Sequence, residues 1–166
     1  MFKINFKKIL LNSLLVLFIF FLDRYSKIYI LNLAEAESKV DVYLTPYLNL
    51  YLIWNKGIAF GLLSFEGSSI YNAITLVIIL VSLAVLIMAI KTSGFMRYSL
   101  IFVLGGSLGN LFDRIYYAAV PDFIDLHFND FHWFIFNVAD IFITVGVACL
   151  IYAEIFFNKE KNEKTL

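Results

Sequence analysis

The feature that most constrains this chain is Ile70–Ile90, a run of 21 residues with no charged side chain. A helix rises 1.5 Å per residue, and about 20 mainly apolar residues cross the hydrocarbon core of a bilayer. Three further stretches have comparable length. Ile9–Leu31 is interrupted late by Asp23, Arg24 and Lys27. Tyr98–Tyr117 carries Asp113 and Arg114 near its end, and Trp133–Phe157 carries Asp140 near its start and Glu154 near its end. The pattern predicts an all-α membrane protein with a small β element: four transmembrane helices plus an outward-facing amphipathic β-strand segment. The spans are placed at about 9–31, 70–90, 98–117 and 133–157, with an outer segment at about 32–69, in a single membrane-embedded domain over residues 1–166. Composition supports this. Only 16% of residues are charged and 61% are hydrophobic, against about 25% charged in soluble domains, which excludes an ordinary soluble domain and a disordered chain. The formal net charge is zero, so nothing draws the chain to nucleic acid. The single cysteine, Cys149, excludes an internal disulfide and a cysteine zinc site, and packing is its expected role.

The basic residues give a direction. Lys3, Lys7 and Lys8 precede the first span, Lys91 and Arg97 separate the second and third, and Lys159, Lys161 and Lys164 follow the fourth, making eight of thirteen on one side. The positive-inside rule assigns that side to the cytoplasm. Both termini are then inside, and residues 32–69 and 118–132 face outward. The first span has the basic start of a signal peptide and a small-residue triplet, Ala34-Glu35-Ala36. About a dozen residues, Asp23, Arg24 and Lys27 among them, separate its apolar run from that triplet, where a cleavage site should follow closely. The span is therefore expected to be retained.

The outer segment alternates. Leu48, Leu50, Leu52 and Trp54 share one face and Tyr47, Asn49, Tyr51 and Ile53 the other, which is a strand pattern. Pro46 marks its start or a break between two short strands. Asn55-Lys56-Gly57 reads as a turn, and Ser68 or Ser69 is placed to cap the second span. Trp54, Tyr116, Tyr117 and Trp133 read as an interfacial aromatic belt.

Ionisable side chains inside spans are costly and mark functional sites by default. Here they lie at one depth: Asp23 late in one outward helix, Asn110, Asp113 and Arg114 late in the other, and Asn137 and Asp140 early in an inward helix. The rise per residue puts Asp140 roughly 10 Å below the outer start of the fourth span. Asn110, Asp113 and Arg114 stand at i, i+3 and i+4, as do Asn137 and Asp140 at i and i+3, so each set shares a face. Asp23 and Lys27, at i and i+4, are a candidate ion pair. Gly105 and Gly109 let the third span approach a neighbour closely. Asp122 follows Arg114 by eight residues and can reach back over the same cavity, where it can face Asp140. Close carboxylates share a proton, and such a dyad serves as general base and general acid. Position alone leaves Asp113 and Asp125 open in place of Asp122. The plainer readings are that Asp113 and Arg114 neutralise bundle partners, that Arg114 anchors an acid or a lipid phosphate, and that Asp125 and Asp130 are solvated loop residues. His127 and His132 lack a helical H-E-x-x-H arrangement, so neither metal nor cofactor is expected. Lys56 is solvated or meets a substrate or lipid headgroup.

Five blocks, in order, resemble the bacterial lipoprotein signal peptidases (signal peptidase II). They are Asp23-Arg24-Tyr25-Ser26-Lys27, Asn55-Lys56-Gly57-Ile58-Ala59-Phe60-Gly61, the stretch Gly105-Gly106-Ser107-Leu108-Gly109-Asn110-Leu111-Phe112-Asp113-Arg114, Val120-Pro121-Asp122-Phe123, and Phe136-Asn137-Val138-Ala139-Asp140. Ser26 stands where threonine is common and keeps the hydroxyl. The resemblance implies an intramembrane aspartic endopeptidase of the inner membrane with its active site near the outer face. Its catalytic aspartates fall on Asp122 and Asp140; Asp23, Lys27, Asn55, Gly57, Asn110, Asp113, Arg114 and Asn137 fall on substrate-binding or supporting positions. It implies as substrate a prolipoprotein whose cysteine carries diacylglycerol, cut just before that cysteine, and inhibition by a globomycin-type cyclic peptide. Membrane lipids are expected around a monomeric chain. The competing classes are a small polytopic transporter using Asp23, Asp113 and Asp140 as a relay, which needs acids spread through the membrane depth, and a lipid-binding assembly factor using Arg114 and Lys56, which leaves Asp122 dispensable.

Overall fold

In a computed structural model the residues described are 6–37, 39–57, 68–129 and 131–163. Four helices occur among them: α1 (Phe6–Glu37), α2 (Ser68–Lys91), α3 (Gly94–Tyr117) and α4 (Val138–Glu163). Four strands complete the order, β1 (Asp41–Thr45) and β2 (Leu48–Asn55) after α1, then β3 (Val120–Phe128) and β4 (Phe131–Phe136) between α3 and α4. The central helix is α3, against which the other three pack.

Among the described residues, three helices are long and apolar enough to cross a membrane: Ser69–Lys91, Gly94–Tyr117 and Val138–Phe156. The expected first span lies inside α1, whose 32 residues make a rod of about 48 Å, longer than a bilayer core. Large apolar side chains such as Phe18, Phe21, Leu80 and Ile155 lie exposed on the helix surfaces. Such an exterior is unstable in water and suited to lipid. Burial is concentrated in α3, whose small residues admit its neighbours. A Cβ on Gly105 would come within 2.8 Å of Ile19 in α1, and one on Gly106 would overlap the Ala139 carbonyl of α4.

The strands form one antiparallel sheet, in the order β1-β2-β3-β4. Within the expected outer segment, residues 32–37 continue α1 and residues 41–55 form two short strands with Pro46 in the turn between them. Val120–Phe128 is a strand as well, and Phe131 and His132 begin another, where only an outward segment was expected. Ala118, at φ 54, ends α3 in the left-handed conformation and sends the chain into β3. The fourth span was expected to start at 133, but Phe131–Phe136 is β4 and the helix begins at Val138. Phe-His-Trp-Phe-Ile-Phe is aromatic and β-prone, and hydrophobicity alone does not separate such a run from the start of an apolar helix. Asp140 is consequently in the first turn of α4, not two turns inside it. The sheet is anchored by Ile30 of α1, Val40 and Phe123 of β3, with Leu33, Leu50, Leu52 and Val138 packed around them.

Gly106→Ala should separate α3 from α4 and cost about 1–3 kcal/mol, read as a lowered midpoint of thermal unfolding in detergent.

Candidate active site

The start of α4 organises the site. Asn137 precedes the helix, and its side-chain carbonyl Oδ1 accepts from the Asp140 N–H at 3.1 Å, while Asp140 Oδ2 accepts from the Asn137 N–H at 3.2 Å. This reciprocal pair has the logic of a capping box: it satisfies two backbone donors and fixes both side chains. The Asn137 amide also donates to Asp122 Oδ1 at 2.5 Å. One asparagine therefore touches both carboxylates. β3 delivers Asp122 opposite Ile53 of β2, and Asn55, at the end of β2, donates from Nδ2 to Asp122 Oδ2 at 2.9 Å. Asn110 of α3 donates from Nδ2 to Asp140 Oδ1 at 2.8 Å.

Below this pair lies a buried ionic cluster. Lys27, 0% exposed, donates to Asp23 Oδ2 at 2.9 Å, to Asn110 Oδ1 at 2.8 Å and to Asp113 Oδ2 at 2.7 Å. An ammonium has three protons, and all three are used. Arg24 donates to Asp113 at 2.7 Å and lies over the Phe112 ring at 4.9 Å. Two acids and two bases thus neutralise one another, as a low-dielectric interior requires. The expected Asp23–Lys27 pair is present, and Asp113 belongs to this cluster rather than to the Asp122–Asp140 pair. Asp23 Oδ1 also accepts from the Ala139 N–H at 3.0 Å, joining α1 to the first turn of α4.

Arg114 ties down the turn after β2. Its guanidinium donates to the Gly57 carbonyl, while the Gly57 N–H donates to Asn55 Oδ1 at 2.8 Å. Gly57 thereby holds Asn55 with its amide aimed at Asp122. Lys56 is exposed. Residues 58–61 of the second block, and Asp130, lie outside the described residues. Asp125 is not a solvated loop residue as expected: it is 3% exposed, and its carboxylate meets His132 Nδ1 at 2.9 Å across the sheet. Two contributors were not foreseen. Arg24 had a signal, a second cation inside a span facing a bundle with unmatched acids. Tyr71, whose hydroxyl donates to the Arg114 carbonyl at 2.8 Å, had none, since a tyrosine near a helix start is commonplace.

Asn55, Asn110, Arg114, Asp122 and Asp140 line a cavity of about 560 Å³. Its walls are apolar, Val77 and Val81 from α2 and Ile143 and Val147 from α4, with Ser107 of α3 between them. Such a volume suits an extended apolar peptide or acyl segment. Burial, and then the charge of Asp140, push the Asp122 carboxyl up to about 6. The donors from Asn55 and Asn137 oppose that rise. A carboxyl near neutrality beside a second carboxylate, both held by amides, is suited to moving protons to and from a polar bond drawn into the cavity.

Removing one member of the buried cluster leaves the others uncompensated. Lys27→Met should cost about 3–5 kcal/mol, checked by thermal unfolding in detergent.

Comparison with known proteins bears on this geometry. Residues 15–156 match the family model described as signal peptidase (SPase) II. The lipoprotein signal peptidase of Pelagibacter ubique is 59% identical over 163 residues, 98% of each chain. That of Aquifex aeolicus is 38% identical over 85% of this chain and 83% of its own. A solved bacterial membrane enzyme, determined by the in meso method at 2.3 Å, superposes with a TM-score of 0.70 at 25% identity over 90% of each chain. A second one gives 0.66 at 26% identity, over 87% of this chain and 92% of its own.

Proposed function

We propose, given that the chain belongs to the signal peptidase II family, that it is a membrane protease removing signal peptides from prolipoproteins. The observation that carries the reading is Asn137, which bonds Asp140 and Asp122 at once beside an apolar cavity. In this reading the chemistry is aspartic. One carboxylate takes a proton from water, and the water oxygen attacks the scissile carbonyl carbon. The other, protonated, gives its proton to the carbonyl oxygen. The resulting diol collapses, the amide nitrogen takes up a proton, and the C–N bond breaks. Asn55, Asn110 and Asn137 hold the two catalytic groups, and Arg114 and Gly57 position Asn55. Asp23, Lys27 and Asp113 act further out, by fixing α1 against α3.

The substrate in this reading carries diacylglycerol on the cysteine after the cut. Its acyl chains and apolar signal segment match the cavity walls, and a globomycin-type cyclic peptide would compete for them. We read α1 as a span too, the first of four, with both termini cytoplasmic, the sheet on the outer face of a bacterial inner membrane, and the chain acting as a monomer. A proton or cation relay would need acids along the bundle. The buried acids of the described residues instead gather where the helices meet the sheet.

Asp122→Asn and Asp140→Asn should each lower cleavage of a purified lipidated prolipoprotein by about a thousandfold or more, read as loss of the gel shift, while Lys39→Ala, at an exposed pair, leaves it unchanged. Turnover retained in Asp140→Asn would sink the dyad.

The pH profile gives an independent test. Deprotonation of Asp122 above about 6 removes the shared proton, so kcat/KM should fall on the alkaline side. The Asn55 hydrogen bond favours the ionised form and lowers this pKa. Asn55→Ala should therefore shift the alkaline limb to higher pH; a limb that stays or moves down contradicts the assignment.

A further inference from the structure

Outside the cavity, the sheet gathers three side chains of a different kind. Asp125 and His127 are at i and i+2 on β3, on either side of a register shift in its pairing with β4, and their side chains approach each other. His132 of β4 is the direct cross-strand partner of His127, which puts it on the same face. Their ligating atoms all lie within 4.8 Å of one another. His132 Nδ1 is 2.9 Å and His127 Nδ1 3.8 Å from Asp125 Oδ2, and the two imidazole rings stack at 5.3 Å.

The Asp125–His132 contact by itself is an ordinary hydrogen bond. His127 is not accounted for that way. Its side chain is 10% exposed, and its Nδ1 is buried with no hydrogen-bond partner among the described residues. At 3.8 Å the carboxylate is too far to supply one, and a buried unsatisfied imidazole nitrogen is costly. His132, by contrast, is 56% exposed, so the cluster is open to solvent on one side.

We propose that Asp125, His127 and His132 form a binding site for a divalent transition metal of the Zn²⁺ type, clamping the β3–β4 hairpin. Two imidazoles and one carboxylate are a donor set for borderline metals rather than for Ca²⁺ or Mg²⁺. Tetrahedral zinc with bonds near 2 Å places its ligands about 3.3 Å apart. The 2.9 and 3.8 Å separations bracket that value. The fourth position faces the open side, where water completes the shell. Helical spacing is not the only metal signal: on a strand, i, i+2 and the cross-strand partner do the same work, and the pairing between strands is not written in either strand alone. The site lies three residues from Asp122 on the same strand, so its filling stiffens the strand that carries that carboxylate.

The test uses the full chain in detergent micelles after EDTA treatment, titrated with Zn²⁺ by calorimetry and with Co²⁺ by visible absorption. One equivalent of Zn²⁺ should bind, raising the thermal midpoint, and Co²⁺ should give a d–d band. His127→Asn and His132→Ala should each weaken Zn²⁺ binding at least tenfold and abolish the band. His132 is largely exposed, so its variant reports even where the buried His127→Asn fails to fold. The site is overturned by absence of a stoichiometric Zn²⁺ equivalent in the wild type, or by binding undiminished in His132→Ala. Binding that is lost only in Asp140→Asn overturns it equally, since the metal then sits among the other acids.

Discussion

A single buried ammonium holds the bundle together. Lys27 reaches across from α1 and places its three protons on Asp23, Asn110 and Asp113, so two helices are tied through one nitrogen. From there the connections run upward. Asn110 accepts from Lys27 and passes its own donor to Asp140, and Asp23 accepts from the Ala139 N–H. The first turn of α4 is thus set by α1 and α3 before the sheet contributes anything. A charge in that position is unfavourable unless every proton finds a partner, which makes the arrangement close to all-or-none. The geometry of the two carboxylates is inherited from this centre.

The polar cluster was legible in the sequence because lipid leaves no other place for it. Asp23, Asn110, Asp113, Asn137 and Asp140 announce themselves by sitting in apolar spans, and helical spacing tells which of them share a face. What one-dimensional spacing does not tell is which acid belongs to which neighbour. Asp113 and Asp122 were equivalent partners for Asp140 on position, and the difference is Lys27 and Arg24, which capture Asp113 from another helix. The second half of the sheet was illegible for a related reason. Apolar aromatic residues at 131–136 carry no period that separates strand from helix, and a buried Asp125 depends on a β4 partner that only the folded hairpin supplies.

The sheet and the helices divide the work unequally. The helices provide depth and an apolar surround, which make ionisation of a carboxyl costly. The sheet provides Asp122 and Asn55, on neighbouring strands whose pairing shifts register between Leu50 and Ile53. That irregularity lies next to Asp122 and opposite the straighter pairing at Asn49 and Asp125. Bulges re-aim side chains beside functional sites, and here the extra residue lies on β2, opposite the stretch of β3 just after Asp122.

The cavity is walled by apolar side chains of α2 and α4, and in the proposed function a lipid-anchored substrate enters between them from the bilayer. A ligand entering by that route is met by diffusion in a plane rather than in a volume. Its availability is then set by how many copies share the leaflet per lipid, and diluting the surrounding water leaves it unchanged. In the same proposal water, the other participant in hydrolysis, comes from the sheet end. The two reactants of the proposed cleavage would then approach from different phases, with Asp122 and Asp140 at the boundary where they meet.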